Sequence, residues 1–343
     1  MTTEEFKNFY NKREKEEGYV FSHSGVSLEP IIKDYIKNYY NKKITNTSQI
    51  VETIELLIQK TESKKKDDKL FSLDFHMQLS SVLNLFFKDF LYITPSGRII
   101  KSIFGFYEGY ILGQKLPPIK TMDEYIKTME KYNQFKNPEE LINITSKLQK
   151  TFGDNCSINQ AFACEFYAIE RFGKTRIGQL LLHGKQTQNL RAIEEVCAST
   201  RIKILDFVNK NKIQAIVFVP PTTPRQLQFM DYWQKNLNIN LPVVKFEKKI
   251  YDIPVQQKTL KSKEHRMENA METMFLVKNP DILSYERILI FDDAVASGST
   301  FQALGLKLRE AGIAKDQIYV LAITVTANGI IDDSQKFEVV NEV

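Results

Sequence analysis

The sequence predicts a chain in two parts: a mainly α-helical domain over residues 1–150, then an α/β domain of the parallel-sheet type over 151–343. Three observations lead there. A length of 343 residues exceeds what one hydrophobic core usually sustains and fits about two domains. Apolar residues recur at helical spacing through the first part. After residue 200, short β-rich runs alternate with helical stretches, the order expected of parallel strands joined by crossover helices.

Taken in order, Ile50, Ile54, Leu57 and Ile58 line one face of a helix preceded by Asn46, Thr47 and Ser48 as caps. Leu79, Leu83, Phe86 and Phe90 repeat the pattern before the turn signal Pro95-Ser96-Gly97. Two more helices are predicted at 122–132 and 138–150, the latter with Pro138 in its first turn. Aromatic residues are dense here, at Phe86, Phe87, Phe90, Tyr92, Phe104, Phe106, Tyr107 and Tyr110. Their helical spacing assigns them to core packing rather than to base stacking. In the second part the predicted strands are 213–219, 242–246, 287–291 and 318–325, with helices at 224–236, 263–274 and 300–311. Ligands of such a sheet gather at the carboxyl ends of its strands.

Composition narrows the function classes. The chain is 43% hydrophobic and 26% charged, as folded proteins are. Its net charge of +5 is spread without a block of five or six like charges. That suits phosphorylated small ligands, and it leaves a protein or nucleic-acid partner open for residues 1–150. Cys156, Cys164 and Cys197 form no CxxC pair and have four histidines to partner them, so a zinc module is not expected. Sparse cysteines and no secretory apolar region near Met1 lead us to expect a cytoplasmic protein. No apolar run approaches the roughly 20 residues needed to cross a bilayer, so no membrane association is expected.

One stretch carries chemistry. Ile288-Leu289-Ile290-Phe291 reads as a buried strand ending in Asp292-Asp293, followed by a small-residue turn and a helix opened by Thr300. Backbone N–H groups of Ala296, Ser297, Gly298, Ser299 and Thr300, with three hydroxyls among them, can wrap a phosphate at the positive end of the helix. Gly298 lets the backbone close around it. The two carboxylates cannot bind phosphate, yet they can accept hydrogen bonds from the hydroxyls of a ribose. The bland reading is a solvated Asp-Asp turn with Ser and Thr capping the next helix. Strand, paired acids, small loop and helix in this order are jointly more specific than that.

This stretch resembles the phosphoribosyl pyrophosphate signature of type I phosphoribosyltransferases, in which four apolar residues precede two acids and a Thr/Ser-Gly-x-Thr loop. Ala296-Ser297 stands where two threonines are common. Gln257-Lys258-Thr259-Leu260, Arg266-Met267-Glu268-Asn269 and Phe275 are similar to the hood segment of the ComF-like branch, with one extra residue between Leu260 and Arg266. The run 213–219 followed by Pro220-Pro221-Thr222-Thr223-Pro224-Arg225 resembles the family's pyrophosphate loop. Lys248 and Lys249 stand where members carry a mobile basic residue, and a solvated charge pair is the alternative. The resemblance spans roughly 175–325. ComF-like proteins begin with a cysteine-rich zinc module that this chain lacks, and the segment before residue 150 carries no resemblance.

The resemblance implies a type I phosphoribosyltransferase-like domain and a Mg²⁺-dependent transfer of phosphoribose to a nitrogen nucleophile, releasing pyrophosphate. Asp292 and Asp293 would hold the ribose hydroxyls and meet the metal only indirectly, through those hydroxyls. Residues 296–300 would hold the 5-phosphate, and Arg225 the pyrophosphate. Lys248, Lys249, Gln257 and Arg266 would also contact substrate, with ordinary helix-surface roles the alternative for Gln257 and Arg266. A homodimer is the family habit. The other reading is a catalytically silent nucleotide-sensing or effector protein, as in bacterial antiphage systems. Residues 168–175 end like a Walker A loop, but Ala168 replaces the first glycine, and Ile169, Arg171 and Phe172 would obstruct a phosphate cradle.

Overall fold

The computed structural model describes residues 118–221, 223, 225–249, 263–277 and 284–331, together with 87, 90–94, 99–101, 105, 106, 114 and 116. The chain divides into two compact units, Met1–Ile126 and Lys127–Val343. In the first, strands β1 (Leu91–Ile93) and β2 (Ile99–Lys101) form an antiparallel pair with Tyr92 opposite Ile100. Phe87, Phe90 and Phe106 are buried around Tyr125, with ring centroids 4.8 to 5.5 Å apart. These rings are core, as their spacing predicts. The strand pair is an addition to a segment that reads as mainly helical. The helix predicted at 50–58 lies outside the described residues, as does that predicted over 79–90 except for Phe87 and Phe90.

Helix α1 (Pro118–Asn133) contains the predicted helix 122–132. The helix predicted at 138–150 is corrected. Strand β3 (Ile142–Asn143) comes first, and α2 (Thr145–Phe152) begins only after it. Pro138 sits in a turn closed by Leu141 N–H donating to Asn137 Oδ1 at 2.8 Å, where Glu140 takes a left-handed φ of 58°. Residues 127–150 therefore pack within the second unit.

Among the described residues, the main sheet of that unit has five strands. In spatial order they are β3, β4 (Gln160–Phe166), β11 (Ala314–Val325), β10 (Tyr285–Val295) and β7 (Ala215–Phe218). β3 is antiparallel to β4 and the other neighbours are parallel. Parallel strands bury both faces, which is why Ile288–Phe291 and Val320–Ile323 are continuous apolar runs at 0% exposure. Helices α3 (Arg176–Thr187) and α4 (Leu190–Lys210) make the long crossover from β4 to β7. Phe207 of α4 meets Phe162 and Tyr319 edge-on, and Trp233 of α5 (Phe229–Asn236) meets Phe291. Side chains of this size each contribute roughly 1.5–3 kcal/mol on full burial, so this aromatic layer is a major part of the core.

The strand predicted at 242–246 joins the sheet only as a bridge, Val243 beside Ile216. Pro242 brings no N–H to a ladder, which suits an edge. The chain then leaves as β8 (Phe246–Lys248), which pairs antiparallel with β9 (Met274–Leu276). Helix α6 (Lys263–Thr273) precedes β9 and packs on α7 (Ser299–Glu310). The Walker-like segment is a strand pair, β5 (Ala168–Ile169) with β6 (Gly173–Lys174), followed by Thr175, whose hydroxyl caps α3 by accepting from Gly178 N–H at 3.0 Å. Among the described residues no helix is long and apolar enough to cross a membrane.

Candidate functional site

From β7 the chain runs outward to Val243 on one side, then returns to β10 on the other, so the strand order reverses between β7 and β10. Ligands of open α/β sheets bind outside the carboxyl ends of the strands at such a point. Val219 N–H donates to Phe291 O at 3.0 Å and closes the pairing there. β10 does not end at the acids as predicted. It continues to Val295 with β11 alone, Asp292 opposite Ala322 and Ala294 opposite Thr324. The acids thus lie on strand backbone, just beyond the last residue paired to β7.

Their environments differ. Asp292 is half-buried, and its Oδ1 accepts the Asp293 N–H at 2.7 Å. Burial and the neighbouring Asp293 push its carboxyl well above the usual range, with Lys185 pulling the other way. Asp293 is 7% exposed. Its Oδ2 receives the ammonium of Lys185 from α3, and Thr324 Oγ1 donates to its backbone carbonyl at 3.1 Å. Burial works against the Lys185 charge, but Asp293 and Asp292 outweigh it and raise its pKa, while Arg225 opposes them. The Tyr167 hydroxyl, just past β4, is raised by burial and by Asp293, and lowered by Lys185. Tyr167, Lys185, Arg225, Asp292 and Asp293 therefore share one electrostatic neighbourhood. Sequence reasoning missed Lys185, which is 108 residues from its partner.

The loop after β10 is built for a tight turn. Gly298 takes φ 82°, a region open to glycine. A Cβ there would fall 2.4 Å from Leu148 Cδ2, so α2 braces the loop from behind. The hydroxyls of Ser297 and Ser299 lie 3.1 Å apart. α7 opens at Ser299 behind Gly298, which has no side chain to cap it; Ser297 Oγ accepts the Ser299 N–H only at 3.5 Å, and the first backbone bond is Gln302 N–H to Gly298 O at 3.0 Å. The leading N–H groups of such a helix end are available to an anion. Ala296 is exposed, and Ser297 and Thr300 are partly so.

The other predicted residues are more scattered. Arg225 is half-buried in a segment tied to the end of α3, where Leu227 N–H donates to Gln188 Oε1 at 3.0 Å. Lys248 ends β8 opposite Met274, and Lys249 follows it, its N–H donating to Thr273 O at 2.8 Å. Burial lowers the Lys248 pKa. Lys248 lines a cavity of about 410 Å³ with Val219, Pro220, Pro221 and Met230, and none of Arg225, Asp292 or Asp293 reaches that cavity. Arg266 is half-buried on α6, and Gln257 lies outside the described residues. Among the described residues no group of three or more His, Cys, Asp or Glu could hold a metal ion.

No protein-family model matches the chain, and no curated protein matches it. Among solved structures, a hypoxanthine phosphoribosyltransferase from Staphylococcus aureus is similar over 39% of this chain and 61% of its own, at 13% identity and a TM-score of 0.24.

Proposed function

We propose that this chain binds phosphoribosyl pyrophosphate, or a related ribose 5-phosphate nucleotide, at 292–300, and transfers phosphoribose to a nitrogen nucleophile. The observation that carries the reading is the continuity of two acids at the strand-order reversal with a glycine turn and an uncapped helix start. Together these provide acceptors for ribose hydroxyls and donors for a phosphate at neighbouring positions. In the transfer, the bond from ribose C1 to pyrophosphate breaks as the bond to nitrogen forms, and the nitrogen's proton passes to a base of the hood or of the substrate. Asp292 and Asp293 orient the ribose and face the positive charge that develops on it, and Arg225 takes the departing pyrophosphate. Lys248, Lys249, Gln257 and Arg266 are proposed for the acceptor and pyrophosphate side. Bound Mg²⁺ would neutralise pyrophosphate charge. Its direct ligands would be substrate oxygens, and Asp292 and Asp293 would hold it only indirectly, through the ribose hydroxyls they orient.

Calorimetry with phosphoribosyl pyrophosphate and Mg²⁺ tests the reading. The wild type binds, and Asp292→Asn/Asp293→Asn weakens binding by about 10- to 100-fold, the loss expected of charge-assisted hydrogen bonds. A wild type that does not bind, or a double variant that binds equally well, would sink it. Binding without turnover is the second reading. The Lys185 ammonium on Asp293 favours it, because a carboxylate already neutralised holds a ribose but stabilises a cationic transition state less. Pyrophosphate release in the presence of assorted bases separates the two.

A further inference from the structure

We infer that Lys185 is a ligand-positioning residue of this site, its ammonium bridging Asp293 to the pyrophosphate of the bound ligand; the inference rests on the ligand reading above. Three observations carry it. The ion pair is lopsided: the Lys185 side chain is 33% exposed and that of Asp293 9%. An ammonium has three donors, and the bond to Asp293 uses one of them. The acid is closed in, while the cation keeps an open side and spare donors.

Arg225 stands near enough for its charge to oppose that of Lys185, so two cations from different segments converge on the two acids. An anion placed between the cations relieves their repulsion, and the diphosphate of the proposed ligand is the group carrying most charge there. The positions are also fixed relative to one another. α3 ends three residues after Lys185 at Gln188, in a left-handed φ of 53°, and Gln188 Oε1 holds the Leu227 N–H two residues past Arg225. One helix end thus delivers Lys185 to the sheet and anchors the segment that carries Arg225.

The bland alternative is an ion pair that only ties α3 to β10. The two roles differ in which ligand they affect. Calorimetry at fixed Mg²⁺ compares phosphoribosyl pyrophosphate with ribose 5-phosphate for wild type, Lys185→Met and Lys185→Arg. We expect Lys185→Met to weaken phosphoribosyl pyrophosphate by about ten-fold or more and ribose 5-phosphate by less than about three-fold, with Lys185→Arg restoring most of the loss. Lys185→Met strands the Asp293 charge and can fail to fold. Asp293→Asn against Lys185→Met/Asp293→Asn repeats the comparison without that charge, and the double variant should again lose phosphoribosyl pyrophosphate selectively. Equal losses for both ligands, or no loss, overturn the inference while leaving the ligand reading intact. A wild type that binds neither ligand removes both.

Discussion

Lys147 is 9% exposed, and its amino group donates to Thr326 O at 3.1 Å and Thr326 Oγ1 at 3.2 Å, both neutral oxygens. Burial lowers its pKa from 10.5 to about 8. A lysine that holds its proton less tightly when folded costs stability while charged in both states, below about 8. That cost is released as pH rises from about 8 to 10.5, so the unfolding free energy rises across this window. Lys147→Met should therefore be more stable than wild type at pH 7, by about 1–2 kcal/mol once the lost bonds to Thr326 are allowed for. Urea unfolding of both proteins at pH 7 and pH 10 checks this, and a gap that does not shrink at pH 10 excludes it. At this scale the legible residues were the local ones. Asp292, Asp293 and Gly298 belong to one short stretch in which the acids, the turn and the helix start constrain each other. Lys185 lies in an ordinary helix, and nothing near it in sequence marks a lysine whose partner is 108 residues away.

Between elements, α7 is locked to the segment after α2 by buried Gln302, with Arg309 further along the helix donating to Ser157 O at 3.2 Å and Asn159 Oδ1 at 2.8 Å. Gln302 is 2% exposed, its Oε1 accepts the Ser157 N–H at 2.9 Å and the Ser157 hydroxyl at 3.0 Å, and its Nε2 donates to Asn155 O at 2.6 Å. Gln302→Leu keeps the helix and leaves buried polar groups unpaired, at a cost of about 2–3 kcal/mol. Denaturant titration should show an earlier midpoint at unchanged slope; an unshifted midpoint would falsify the lock. The element pattern around this helix was readable, since its predicted span 300–311 is found at Ser299–Glu310. β10 ran longer than predicted because β11 offers partners past Phe291, and tertiary pairing overrides the poor strand propensity of Asp. β4 was not foreseen at all. Its sequence, QAFACEF, has no Val, Ile or Thr, so its strand character comes from lying between β3 and β11.

For the whole second unit, the resemblance at 175–325 stops short of what the sheet requires. β4 covers one side of β11, whose residues from Ile318 to Val325 are all buried. A chain begun at residue 170 would expose that edge, and we expect it to aggregate, whereas one begun at 118 keeps every strand of the sheet. Size-exclusion chromatography of the two decides, and a monomeric, cooperatively folding shorter chain would refute the requirement. The same arrangement has a consequence during synthesis. β11 is the last described strand to be made, yet it sits between β4 and β10. β4 leaves the ribosome about 150 residues before the strand that completes it, which at bacterial-to-eukaryotic translation speeds is a wait of roughly 7–30 s. For that interval the nascent chain carries an apolar strand with one edge open, and a slower ribosome lengthens the exposure in proportion.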